Sequence, residues 1–243
     1  MSTISSIIRS GIYSREESAI IMGNMCIDDE LDPSHVRAFA GIKVDLNLRT
    51  DDGETLYHYA MKHKKLKLIQ TLQECGGNIH TLNESGLKAL HYSALIDDKR
   101  YIDFFIKQGF DINDQGESTK TAIMFAAFAD NPKIIQHILN EGGNPYIADR
   151  DSHSLSPLHI AIEGGSYRAL RALLKANIDP NITADDNVTP LHWAAFRDDA
   201  KAIKILLSFN ADKEALTNTG ETAWDLASDE LREDVPELKP EDS

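Results

Sequence analysis

Thr189-Pro-Leu-His-Trp-Ala194 decides the fold, because the same six-residue shape keeps returning along the chain. It recurs as Thr55-Leu-Tyr-His-Tyr-Ala60, Lys88-Ala-Leu-His-Tyr-Ser93, Thr121-Ala-Ile-Met-Phe-Ala126, Ser156-Pro-Leu-His-Ile-Ala161 and Thr222-Ala-Trp-Asp-Leu-Ala227. Counted at the fourth residue (58, 91, 124, 159, 192, 225), the steps are 33, 33, 35, 33 and 33. A fixed period of this size marks an array of stacked units, each too small to bury its own apolar faces.

A second pattern closes each unit: Val44-Asp-Leu-Asn47, Gly77-Asn-Ile-His80, Phe110-Asp-Ile-Asn113, Ile178-Asp-Pro-Asn181 and Ala211-Asp-Lys-Glu214. Between the two patterns lie apolar helical runs such as Leu170-Arg-Ala-Leu-Leu174 and Ile203-Lys-Ile-Leu-Leu207. Thr or Ser in first place suits a helix N-cap, and Pro157 and Pro190 suit the first helical position, where no N–H is needed. Gly53, Gly86 and Gly220, two residues before the cap, suit a left-handed loop torsion.

These motifs resemble the ankyrin-repeat family, for which a 33-residue period with Thr-Pro-Leu-His-x-Ala is the known signature. The resemblance covers roughly residues 45–228. It implies an all-α solenoid of stacked helix-turn-helix units with extended loops, about six units including degenerate caps. Residues 1–47 read as a degenerate N-terminal helical cap with helices near 15–26 and 33–40. Residues 48–228 hold the repeats, the last truncated, and 229–243 form an acidic tail expected to be disordered or a short frayed helix.

Composition narrows the function. The 243 residues are 42% apolar, and 39 acidic against 25 basic side chains give a net charge of −14. Such a field repels nucleic-acid backbones, and the cluster Lys62, Lys64, Lys65 and Lys67 with His63 reads as one solvated helix end. No stretch approaches the roughly 18 apolar residues that span a bilayer. Cys26 and Cys75 form neither a disulfide framework nor a zinc spacing, and the N-terminus lacks a secretory pattern. The expectation is a cytoplasmic monomer with no cofactor, no nucleic-acid partner and no membrane insertion.

No phosphate-binding glycine loop, nucleophile elbow or His-Glu-x-x-His pattern is present, so no enzyme is expected. His58, His91, His159 and His192 lie one repeat apart and cannot converge on a metal. The family resemblance gives them a structural role, bonding loop backbone between adjacent units. Met124 and Asp225 replace them in two units, whose interfaces should lack that bond. Asn47, Asn113 and Asn181 stand where some ankyrin proteins are hydroxylated, and the same residue is expected for loop hydrogen bonding.

The resemblance also implies a partner protein held in a concave groove of loop tips and first-helix ends. Carried onto this chain, the helix ends supply Leu95, Ile96, Phe128, Phe196 and Arg197. The loops supply Leu87 and Leu155, with Asp51, Asp52, Glu54, Glu84, Asp185 and Asp186 as an acidic rim. Leu95, Ile96 and Phe128 either form an exposed apolar patch or turn inward as core. An acidic rim around apolar anchors favours a partner segment with basic residues flanking hydrophobic ones, although acidic loops also serve solubility alone. An adaptor or scaffold is the first functional reading. The alternative is a bacterial secreted effector or a stoichiometric inhibitor (an immunity protein) using the same groove, its tail glutamates Glu230, Glu233, Glu237 and Glu241 acting as an export signal.

Overall fold

The structure is a computed structural model that describes residues 14–27, 31–47, 49, 53–151 and 153–241. The chain divides into two compact units, Met1–Ile96 and Asp97–Ser243. Helices account for all the regular structure among the described residues, apart from isolated bridges at Arg49–Thr55 and Leu82–Lys88.

The first unit holds α1 (Arg15–Ile27), α2 (Pro33–Gly41), α3 (Leu56–Lys62), α4 (Leu66–Glu74) and α5 (Ala89–Ser93). Asp32 caps α2, accepting from the Ser34 and His35 N–H groups, and Pro33 takes the first helical position. First helices pack on first helices (α3 on α5) and second on second (α2 on α4). Leu56, Ala60, Leu68, Ile69 and Leu72 are fully buried between the two layers.

The second unit repeats the plan more regularly. It contains α6 (Lys99–Lys107), α7 (Ala122–Phe128), α8 (Pro132–Asn140), α9 (Pro157–Glu163), α10 (Tyr167–Lys175), α11 (Pro190–Phe196), α12 (Ala200–Ser208), α13 (Ala223–Leu226) and α14 (Asp229–Asp234). The first helices α7, α9, α11 and α13 stack in sequence, and the second helices α6, α8, α10 and α12 form a parallel layer. Ala126, Ala161 and Ala194 are fully buried, which is what close approach of stacked first helices requires.

The closing pattern ties units together through asparagine. Asn47 Oδ1 accepts the Asn78 N–H at 2.6 Å, Asn113 Oδ1 the Asn144 N–H at 2.6 Å, and Asn181 Oδ1 the Asp212 N–H at 2.8 Å. Each bond spans one repeat and satisfies a loop N–H that helix geometry leaves unpaired.

Of the two expectations for the acidic tail, disorder or a short helix, the structure shows a short helix. Residues 229–238 form α14 and a 3-10 turn (Pro236–Leu238), with Leu231, Val235 and Leu238 buried. Leu231 lies on α14, Val235 caps it in a non-helical conformation, and Leu238 ends the 3-10 turn, so all three turn inward from successive pieces of the tail. Arg232 fastens the segment by donating from Nε to the Trp224 carbonyl at 2.9 Å.

Candidate functional site

The repeated histidine is built into its helix twice over. In α11, Thr189 Oγ1 accepts the His192 N–H, and His192 Nδ1 in turn accepts the Thr189 N–H at 3.2 Å. This is a reciprocal N-terminal cap with histidine at its third position. The other ring nitrogen, Nε2, lies 3.1 Å from the Glu221 carbonyl in the next loop, and His159 Nε2 lies 3.2 Å from the Val188 carbonyl. With Nδ1 accepting, the proton belongs on Nε2 and bridges two repeats.

Burial holds these rings neutral. It pushes His58 and His159 down to about 4 and lowers His192 as well. His58 keeps the local contact, with Nδ1 2.7 Å from Thr55 Oγ1, while its buried Nε2 faces the Leu87 and Lys88 backbone without a well-formed hydrogen bond. Met124 removes the device altogether, and Thr121 Oγ1 is left buried without a partner. Asp225 keeps half of it, its carboxylate accepting the Thr222 N–H at 2.8 Å.

Large exposed apolar side chains recur at the first-helix ends, with Ile20, Tyr146 and Leu216 exposed elsewhere. Phe128 and Phe196 terminate α7 and α11 and are 57% and 68% exposed. The intervening helix α9 ends in Glu163 and Gly164. The Phe128 ring folds over Gly164, where an added Cβ would lie 3.3 Å from Cδ2. Ser166 Oγ donates to the Phe128 carbonyl at 2.8 Å, and Arg197 donates to the Glu163 carbonyl at 3.3 Å. Trp193 lies behind Phe196, with ring centroids 6.3 Å apart. In the first unit, Leu95 ends the corresponding stretch and is 38% exposed.

Two expected contact residues, Ile96 and Leu155, are corrected. Ile96 is only 7% exposed and belongs to the core. After the five-residue α5, the chain tightens: the N–H groups of Ala94, Leu95 and Ile96 bond three residues back, which turns Ile96 inward. Leu155 is 2% exposed, because the Asp149 N–H fixes its carbonyl at 2.9 Å and the loop presents its side chain to the interior. Glu54 is half-buried and accepts from Asn83 Nδ2 at 3.3 Å, so it braces the next loop. Glu84, Asp185, Asp186 and Arg197 are exposed and Leu87 is half-buried, while Asp51 and Asp52 lie outside the described residues.

The two-residue insertion before Ser156 is anchored by a residue that motif reading missed. Asp149 is buried, 2.6 Å from Lys120 Nζ, and accepts from Thr119 Oγ1 and the Asp151 N–H. Burial alone would raise its carboxyl, but the bonds from Lys120 and Thr119 outweigh that and keep it lowered.

A cleft of about 540 Å³ lies between α2 and α4. Its arginine is already engaged, Arg37 donating to Thr71 at 3.4 Å and Glu74 at 3.3 Å. No helix among the described residues is long and apolar enough to cross a membrane.

A sequence-family model described as "Ankyrin repeats (3 copies)" matches residues 97–185, and one described as "Ankyrin repeat" matches residues 186–218. The chain belongs to the ankyrin-repeat family. Ankyrin repeat protein FPV223 of fowlpox virus is 26% identical over 125 residues, covering 51% of this chain and 86% of that protein. The nuclear factor NF-kappa-B p105 subunit of Gallus gallus is 25% identical over 170 residues (69% of this chain, 17% of that protein). E3 ubiquitin-protein ligase KEG of Arabidopsis thaliana is 26% identical over 215 residues (81% and 13%). The chain thus spans less than a fifth of the last two relatives. Among solved structures, the human ASB11 ankyrin repeat domain has a TM-score of 0.68 at 17% identity, covering 93% of this chain and 97% of that one. The ankyrin repeat domain of Bcl-3, described as a member of the IkappaB protein family, has a TM-score of 0.70 at 18% identity, covering 90% and 97%. Ankyrin repeats are protein–protein interaction modules, and this chain is one.

Proposed function

We propose that this chain is a non-catalytic adaptor or scaffold of the cytoplasm that holds a segment of a partner protein along the first-helix ends of its second unit. One observation carries the reading. Phe128 and Phe196 share a register position and are both exposed; Ser166 holds the Phe128 carbonyl, and Arg197, next to Phe196, bonds the Glu163 carbonyl at the end of the helix between them. Exposed aromatic rings on a preorganised frame are what binding hot spots consist of, since little ordering is left for the complex to impose.

The charge around them selects the partner. Glu163, Asp185, Asp186 and Asp198 are exposed, with Arg197 among them, in a chain of net charge −14. Such a rim favours a segment with lysine or arginine flanking hydrophobic anchors.

Selection from a random peptide display library tests this, with wild type and Phe128→Asp/Phe196→Asp as parallel baits. Wild type should enrich peptides that pair aromatic or aliphatic residues with basic ones. The double variant should bind those peptides at least about 30-fold more weakly, a hot-spot loss of about 2 kcal/mol, and should melt at the wild-type temperature. Equal binding by both proteins, or enrichment of acidic peptides, would refute the proposal.

A further inference from the structure

Away from the first helices, α6 and α8 pack side by side in the second-helix layer, and three metal-ligand side chains converge there. His137 lies on α8 and Glu141 closes that helix four residues later, so both face the same side. Asp103 reaches them from α6. His137 Nε2 is 2.6 Å from Asp103 Oδ1, and one ligand atom from each of the three residues lies within 4.8 Å of the others.

A second observation concerns charge. Glu141 stands at the negative end of α8, beside another carboxylate, and its own carboxylate has no hydrogen bond or ion pair. A carboxylate at a helix C-terminus is disfavoured by the helix dipole, and a cation at that point reverses the sign of the interaction. The His137 ring is largely shielded from solvent and Asp103 partly so, which strengthens the field the cation would feel.

We propose that Asp103, His137 and Glu141 bind one divalent transition-metal ion of the zinc class, with water completing the coordination. One imidazole nitrogen with two carboxylate oxygens suits zinc, whereas magnesium and calcium prefer oxygen donors alone. Ligand atoms around tetrahedral zinc lie about 3.3 Å apart, so the Asp103–His137 contact opens by less than about 1 Å to admit the ion. The ring then carries its proton on Nδ1. Because the ligands come from successive repeats, the ion clamps α6 to α8 and leaves Phe128 and Phe196 free.

The test uses the full chain, stripped with a chelator and titrated with zinc chloride by calorimetry, with thermal melts alongside. One zinc per chain should bind and raise the melting temperature, and magnesium chloride should do neither. Glu141→Gln leaves the His137–Asp103 contact intact and should weaken zinc by at least about tenfold, the loss seen when a supporting group around a metal is removed. His137→Ala should abolish the site, while His80→Ala should bind as wild type does. Should His137→Ala fail to fold, Glu141→Gln decides by itself. Zinc affinity unchanged in Glu141→Gln, no saturable zinc in wild type, or an equal response to magnesium would overturn the proposal.

Discussion

His58 in the first unit and His159 in the second occupy the same place in their repeats, are equally buried, and make the same contact with a hydroxyl at the helix start. They differ at the far side of the ring. His159 Nε2 lies 3.2 Å from a carbonyl of the next loop, whereas His58 Nε2 faces the Leu87 and Lys88 backbone without a well-formed hydrogen bond. The histidine is therefore two devices in one side chain, a cap on its own helix and a bridge to its neighbour. The cap is intact where the bridge is weaker. The family models also match from residue 97 onward, the region in which the bridges form. Apolar stacking is enough to fold an irregular repeat, and the bridge makes the regular ones specific.

The largest expected effect treats both regions alike. Folding holds His58 and His159 neutral, with values near 4 against an ordinary 6.5. The unfolded chain therefore binds more protons between those limits. Stability from each ring is complete above pH 6.5, falls as the pH drops toward 4, and amounts to on the order of 3 kcal/mol per ring. Urea titrations across pH 4 to 7 should show this loss, and His58→Leu and His159→Leu should each flatten it. A profile unchanged by either substitution would break the claim that burial governs both regions.

The same two substitutions at pH 7.5 sharpen the comparison. His159→Leu removes cap and bridge together and should cost about 2–3 kcal/mol. His58→Leu removes a cap and a poorly formed contact with the Leu87 and Lys88 backbone, so its cost should be under about 1 kcal/mol. Equal losses would mean that the bridge contributes nothing. The smallest effect is a gain. Met124→His offers Nδ1 to the orphaned Thr121 hydroxyl and should raise stability by about 1 kcal/mol, read as a higher urea midpoint at constant slope. A lower midpoint would show that the buried space around Met124 does not accept the ring.

The fold was legible because a period survives substitution at any single position. The replacement of histidine by Met124 and Asp225 was visible in the motif, and at Met124 its local consequence is the orphaned Thr121 hydroxyl at the helix start. Side-chain direction at the ends of elements was not legible. Leu95 and Ile96 are adjacent, and which one faces out depends on the tightening of the chain after α5, a matter of carbonyl pairing that residue types do not announce. For the tail, composition left disorder and a short helix both open; burial of Leu231, Val235 and Leu238, on the helix, its cap and the following turn, goes with the helix. Asp103, His137 and Glu141 escaped notice because Asp103 is brought in from another repeat, 34 residues from His137.

The account rests most on the first-helix ends as the contact surface, and site-specific photo-crosslinking reads that directly. A benzophenone amino acid is placed at Phe128, at Phe196, or at the exposed Arg171 on α10, and each protein is irradiated with a basic–hydrophobic peptide from the display selection. The account predicts adducts from positions 128 and 196 that excess unlabelled wild-type protein competes away, and none above background from position 171. Adducts from position 171, with positions 128 and 196 silent, would contradict it.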